Sequence, residues 1–362
     1  MSTKFILSID GGGIRGLIPA VVLHALEAKL KAKGKDEPLH RYFHMIAGTS
    51  TGAIIAAGLT CPGSPDPKQP VATAKQLVDF YRQLGPEIFD RNLMQRVWRG
   101  FGLTEELYSA APLENILIKL LGSDTLIKNA LTKVLITGYD IHDRQAVFMT
   151  NADREHENIR FWQAVRGSSA APTFFEPALV DDLGTLVNGT AKTIPMIDGS
   201  MFANDPALAA YIEQKKISDP KDEIVMLSLG TGQASRKIPY NQAKGWGATG
   251  WISPFNDTPL ISVFLQGQAS TVSYQLNKLL NGDFAKLKDG STVFRKSDRQ
   301  KLRYFRIDGA LTGPEIGPND ALDDASTGPN GNLAKLEAFG EKLATLHDDV
   351  LEEIASRVAP IG

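Results

Sequence analysis

Lys4-Phe5-Ile6-Leu7-Ser8-Ile9-Asp10-Gly11-Gly12-Gly13-Ile14-Arg15-Gly16 opens the chain with an apolar run and a glycine turn, and from Leu17 apolar residues recur at helical spacing up to Gly34. The pattern predicts a buried strand, a tight turn and a helix. The order repeats at once, with Tyr42 to Ala47, then Gly48-Thr49-Ser50-Thr51-Gly52, then the small-residue apolar run Ala53 to Leu59. Further strands are expected at Val134 to Tyr139, Ala146 to Thr150, Ile224 to Leu229 and Tyr304 to Ile307, with helices between them. Asn204-Asp205-Pro206 and Thr258-Pro259 read as helix starts with proline in the first turn. Such alternation implies an α/β protein with a mainly parallel sheet covered by helices on both faces. Leu333, Leu336, Phe339, Leu343, Leu346, Val350 and Ile354 step by three or four, predicting one amphipathic closing helix over 333–357. No repeat or compositional break divides the chain, so a single domain over 1–362 is expected, its core running from 5 to 310.

Composition narrows the function. The chain has 362 residues, 39 Lys plus Arg against 41 Asp plus Glu, and 43% hydrophobic residues. That is the balance of a soluble globular protein, and a net charge of -2 argues against a partner as anionic as a nucleic-acid polymer. The lone cysteine, Cys61, has no His or Cys neighbour at metal-ligand spacing. The apolar start, Phe5 to Ile9, is too short for a secretory core, and no run approaches a bilayer-spanning length. A cytoplasmic protein is expected, meeting lipid from the water side.

Gly11-Gly12-Gly13-Ile14-Arg15-Gly16 satisfies G-x-G-x-x-G. A dinucleotide fold also needs an acidic residue about 20 positions on. Here that distance falls in the basic stretch Lys31-Ala32-Lys33-Gly34-Lys35. What survives is a glycine loop at a helix N-terminus, a place for negative charge, whether phosphate or oxyanion. Gly48 to Gly52 is G-x-S-x-G between a strand and a helix, the context of a nucleophile elbow, with Ser50 as the nucleophile. A serine hydroxyl needs a base. In the order Ser, Asp, His only His347 comes late enough, and it lies beside Asp348 and Asp349 as on a solvated helix face. His24, His40, His44, His142 and His156 read as structural. Asp198, delivered by Ile194 to Ile197 onto a glycine turn, is the alternative base.

These motifs together resemble the patatin-like phospholipases. Asp10 to Gly16 is similar to that family's oxyanion loop, Gly48 to Gly52 to its nucleophile elbow, and Asp198-Gly199 to the start of its catalytic Asp motif. The likeness continues through Ser168-Ser169-Ala170-Ala171-Pro172, Ser228-Leu229-Gly230-Thr231-Gly232 and Leu322-Asp323-Asp324-Ala325-Ser326. The resemblance implies a three-layer α/β/α fold and a Ser-Asp dyad. Ser50 would attack a lipid ester to give an acyl-enzyme, Asp198 would act as base, and Gly11, Gly12 and Gly13 would donate backbone N–H groups to the oxyanion, with Arg15 adding charge or bracing the loop. It implies no metal or redox cofactor, and a phospholipid or other acyl-ester substrate met transiently at a membrane surface. Ser200 stands where the family has Gly or Ala after Asp-Gly. Some bacterial relatives are antiviral effectors switched on by cyclic dinucleotides, so the resemblance also admits that activator class, and a homo-oligomer. Two other readings remain at this point, a Ser-His-Asp esterase using His347 and a non-catalytic Gly-loop nucleotide-binding protein.

Two segments read either way. Phe89 to Phe101 mixes aromatic and basic residues, as a membrane contact or a solvated surface would. Trp246, Trp251 and Phe255 sit in a Gly-rich stretch that reads as a lid or as a packed loop.

Overall fold

A computed structural model describes residues 2–88, 109–172, 174–233, 237–252, 259–311 and 324–361. The aromatic and basic segment 89–101, Phe255, Thr258, Leu322 and Asp323 lie outside the described residues. Strands β1 (Thr3–Ile9), β2 (Met45–Gly48), β3 (Lys133–Asp140), β4 (Gln145–Thr150), β5 (Ala178–Val187), β6 (Thr190–Asp198), β7 (Glu223–Leu229) and β10 (Tyr304–Ile307) form one sheet. Its order is β10-β7-β1-β2-β3-β6-β5, with β4 also paired to β3. The strands from β10 to β3 are parallel, whereas β4, β6 and β5 add antiparallel pairings at the other edge. A small hairpin, β8 (Ala285–Lys288) with β9 (Ser291–Phe294), stands apart.

The strand period assigns the two faces. In β1, Phe5, Leu7 and Ile9 join the larger core with helices α1 (Leu17–Ala32), α2 (Thr51–Thr60) and α3 (Ala74–Ile88). Helices α4 (Ala111–Leu121) and α5 (Phe161–Ser168) pack into the same core. Ile6 points the other way, with Met45, Leu135 and Met226, onto α6 (Ala207–Ile217) and the end of α7 (Pro259–Leu276). A sheet with opposite residues buried on opposite faces makes the middle of a three-layer α/β/α arrangement. Helices α8 (Asn332–Leu346) and α9 (Asp348–Arg357) close the larger core.

Three expectations change. The closing helix is two helices, because His347 leaves helical geometry (φ -109°, ψ 27°) and the chain restarts with Asp348 and Asp349 in the first turn of α9, where acidic groups suit the helix N-terminus. The strand expected from Tyr42 begins at Met45, since Tyr42 and Phe43 are buried in the turn that precedes it. Pro206 stands just ahead of α6, and the Asp205 carboxylate accepts the Ala207 N–H at 2.9 Å.

Candidate active site

β1 and β2 run parallel with Ile9 opposite Gly48, so the loops that follow them emerge side by side at the carboxyl edge of the sheet. Open α/β sheets place their sites at that edge. β6 comes from the opposite direction and pairs with β3 only over Asp198 to Met196, bringing Asp198 to the same edge.

Ser50 caps α2 with φ 54° and ψ -119°, a backbone that L residues rarely adopt. The two glycines of G-x-S-x-G make this turn possible. A Cβ on Gly48 would strike the Gly52 backbone, and one on Gly52 would meet the Asp10 carbonyl at 2.8 Å. Around the turn the Ser168 hydroxyl accepts the Ser50 N–H at 2.9 Å, and the Thr49 hydroxyl donates to the Ala203 carbonyl at 2.6 Å.

Asp198 is 1% exposed and lines the same pocket as Ser50, whose hydroxyl is near enough to favour its charged form. Burial pushes its carboxyl up to about 6, against the N–H and hydroxyl of Ser200 and the hydroxyl of Ser50, which pull it down. The Ser200 N–H donates to Asp198 Oδ1 at 2.7 Å. Ser200, the departure noted in the sequence, thus supplies two of the groups that hold the carboxylate, and its N–H contribution is open to any residue. A buried carboxylate tuned toward neutrality beside a serine hydroxyl can take that proton.

The glycine loop lies against this pair. A Cβ on Gly11 would meet the Ser200 hydroxyl at 2.5 Å and Ser50 Cβ at 3.4 Å, so only glycine allows so close a pass. The Gly11 N–H donates to the Asn204 carbonyl at 3.0 Å, and the Thr231 hydroxyl donates to the Gly11 carbonyl at 2.7 Å. Gly11 is therefore a clamped residue whose N–H is already taken, while Gly12 and Gly13 line the pocket beside Ser50. Arg15, 8% exposed, donates its backbone N–H to the Gly12 carbonyl at 3.1 Å and does not line the pocket.

From Ser50 an apolar pocket runs between Ile54, Ile88, Leu113, Phe175, Ile261 and Leu265. No histidine lines it among the described residues. His347, its imidazole lowered in pKa chiefly by burial, donates its backbone N–H to the Leu343 carbonyl at the break between α8 and α9. His44 sits beside the start of β1, where its Nδ1 accepts the Phe5 N–H at 3.1 Å. Trp246 and Trp251 pack edge to face on one another and do not line the pocket.

Beneath the loop lies a feature that motif reading missed. Arg306 is 1% exposed and carries three carboxylates: Asp10 at 2.5 Å, Asp308 at 3.0 Å and Asp205 at 3.4 Å. Burial comes first among the causes that raise Asp10 and Asp205, against the pull of Arg306. For Arg306 burial works against the charge, and the carboxylates outweigh it. The one available signal was a charged residue inside the apolar run Tyr304 to Ile307.

The Patatin-like phospholipase family model matches residues 7–211. Patatin-like protein 2 of Arabidopsis thaliana is 35% identical, over 98% of this chain and 84% of that protein. Probable inactive patatin-3-Kuras 1 of Solanum tuberosum is 31% identical, over 93% of this chain and 85% of that one. Among solved structures, human GIVD cytosolic phospholipase A2 aligns with a TM-score of 0.48 at 10% identity, over 97% of this chain. This chain spans 60% of the length of that structure.

Proposed function

The chain belongs to the patatin-like phospholipase family, and from that premise we propose that it is a lipid acyl hydrolase working through Ser50 and Asp198. Membership alone does not decide activity, since one relative carries the words "probable inactive" in its name. The observation that carries the reading is the buried Asp198 carboxylate, raised to about 6 by burial and lining one pocket with Ser50, Gly12 and Gly13. Asp198 takes the hydroxyl proton as Ser50 Oγ attacks the ester carbonyl. Gly12 and Gly13 donate to the oxyanion, each such donor being worth about 2.7–4 kcal/mol. The acyl chain lies in the apolar pocket. As the tetrahedral intermediate collapses, the proton on Asp198 passes to the departing alkoxide, and water then repeats the cycle in reverse order to free the acid. Arg15 braces the loop through its backbone N–H.

A fluorophosphonate tests the assignment directly. Covalent phosphonylation is expected at Ser50, located by mass spectrometry of the digested protein, with no labelling of Ser50→Ala. Labelling at another serine would overturn it. The activation by a cyclic dinucleotide is a proposal with its own assay, in which fatty-acid release from phospholipid vesicles is compared with and without a panel of these ligands. Full activity that none of them changes leaves a constitutive hydrolase.

The pH dependence follows from the base. Asp198 acts only when ionised, and burial raises its pKa to about 6. The kcat/KM for a neutral ester is therefore expected to rise through pH 6 and level off above it, falling about tenfold per pH unit below. A flat profile from pH 4.5 to 7.5 in a protein that stays folded would remove Asp198 from the role.

A further inference from the structure

α7 is 18 residues long, PLISVFLQGQASTVSYQL, and holds no ionisable group except Tyr274. Its inner face is committed. Ile261 and Leu265 line the Ser50 pocket, Ala269, Ser273 and Leu276 are buried, and the Gln268 amide oxygen accepts the Asn204 N–H. The opposite arc is open: Leu260 is 39% exposed, Val263 51%, Phe264 60% and Tyr274 61%. At 100° per residue, positions 260, 263, 264, 267, 271 and 274 fall within one third of the circumference. The apolar members of this arc gather in the N-terminal half, beside the two residues that wall the pocket. Farther along, the arc turns polar without becoming charged, through Gly267, Ser270 and Thr271. No helix among the described residues is long and apolar enough to cross a membrane.

We propose that Leu260, Val263 and Phe264 form the surface by which the protein docks on a phospholipid bilayer, with α7 lying in the interface and the mouth of the Ser50 pocket against the lipid. The proposal rests on the hydrolase reading for its choice of occupant. A water-insoluble ester has to pass from the aggregate into the pocket, and the same helix is apolar on its pocket side and on its exposed side at the same end. An uncharged helix also enters the interface without desolvating an ion, the costly step for the charged surfaces typical of soluble proteins. The membrane contact thus falls on α7.

The test separates docking from chemistry. Val263→Gln and Phe264→Gln change exposed side chains, and neither lines the pocket. The full chain and the double variant are floated with phosphatidylcholine vesicles, and both are assayed on a short-chain soluble ester and on the vesicles. Each substitution is expected to lower the vesicle partition coefficient about tenfold. Vesicle hydrolysis should fall with it, while turnover of the soluble ester stays within about twofold, since the dyad and pocket are untouched. Unchanged flotation of the double variant, or no flotation of the parent chain, would overturn the docking surface. So would a parent dimer in sedimentation that the double variant converts to monomer, because the face would then belong to a second copy. Flotation needs no turnover, so a chain that binds vesicles through these residues yet hydrolyses neither ester would defeat the hydrolase reading and leave the surface standing.

Discussion

Ser50→Ala and Asp198→Asn are each expected to lower ester turnover by about ten-thousand-fold or more, with His347→Ala within about twofold of the parent. Removing Oγ leaves no atom to form the acyl-enzyme. Removing the Asp198 charge leaves the hydroxyl without an acceptor for its proton, and no histidine lines the pocket among the described residues to replace it. Asp198→Asn carries a second signature that a misfolded variant would lack. Raising a carboxyl from 3.8 to about 6 means the folded state holds its proton more tightly than the unfolded chain. The stability this contributes is present in acid and lost as pH rises through 6, so ionised Asp198 costs the fold about 3 kcal/mol at neutral pH. Asparagine keeps an oxygen for the Ser200 N–H and never ionises. The inactive variant should therefore be more stable than the parent at pH 7.5, by about 1–3 kcal/mol in urea, with the gain shrinking toward pH 4. Loss of turnover in His347→Ala with the fold intact would restore the triad. A stability gain over the parent no larger at pH 7.5 than at pH 4 would contradict the buried, raised carboxylate.

The parallel half of the fold was legible because each strand there is buried on both faces and reads as a mostly apolar run. Ile224 to Leu229 and Tyr304 to Ile307 mark β7 and β10 in this way. The hairpin of β5 and β6 was not, apart from Ile194 to Ile197. Its outer half projects from the core, with Leu186 67% and Val187 49% exposed, and the register shifts between Asp182 and Leu186, so neither a run nor an alternation survives. The break at His347 was hidden for a different reason. Leu343, Leu346, Val350 and Ile354 keep helical spacing across it, and a periodic pattern does not register one residue leaving helical geometry. At the site, Ser50 and Asp198 were readable as candidates because each sits on a glycine turn. The partner set of Arg306 was not, because Asp10, Asp205 and Asp308 come from three separated loops.

That cluster sets the second large effect. Arg306→Met is expected to destabilise the protein by about 3–5 kcal/mol, because it leaves three buried carboxylates with no cation among them. The guanidinium does more than balance charge. Nη1 donates to Asp10 Oδ1 at 2.7 Å and to the Ser228 hydroxyl at 2.8 Å, while Nη2 donates to Asp10 Oδ2 at 2.5 Å, a bidentate grip on the residue that begins the glycine loop. Asp308 Oδ1 in turn accepts the Gly232 N–H at 3.0 Å, one residue after Thr231, whose hydroxyl holds the Gly11 carbonyl. Arg306 thus ties the ends of β1, β7 and β10 into one floor beneath Gly11 to Gly13. Lysine keeps a charge and loses the fork, so Arg306→Lys should fall between methionine and the parent. The loss in Arg306→Met should also deepen with pH, since without the cation the aspartates fold only by holding protons that alkaline solution removes. Urea unfolding at pH 5.5 and pH 8.5 measures both effects. Adding Asp205→Asn to Arg306→Met should recover part of the loss, because one fewer carboxylate is left unpaired, and the double-mutant cycle isolates that coupling. A methionine variant within about 1 kcal/mol of the parent at both pH values, or a loss that does not change between them, would show that this buried ion cluster does not hold the loop.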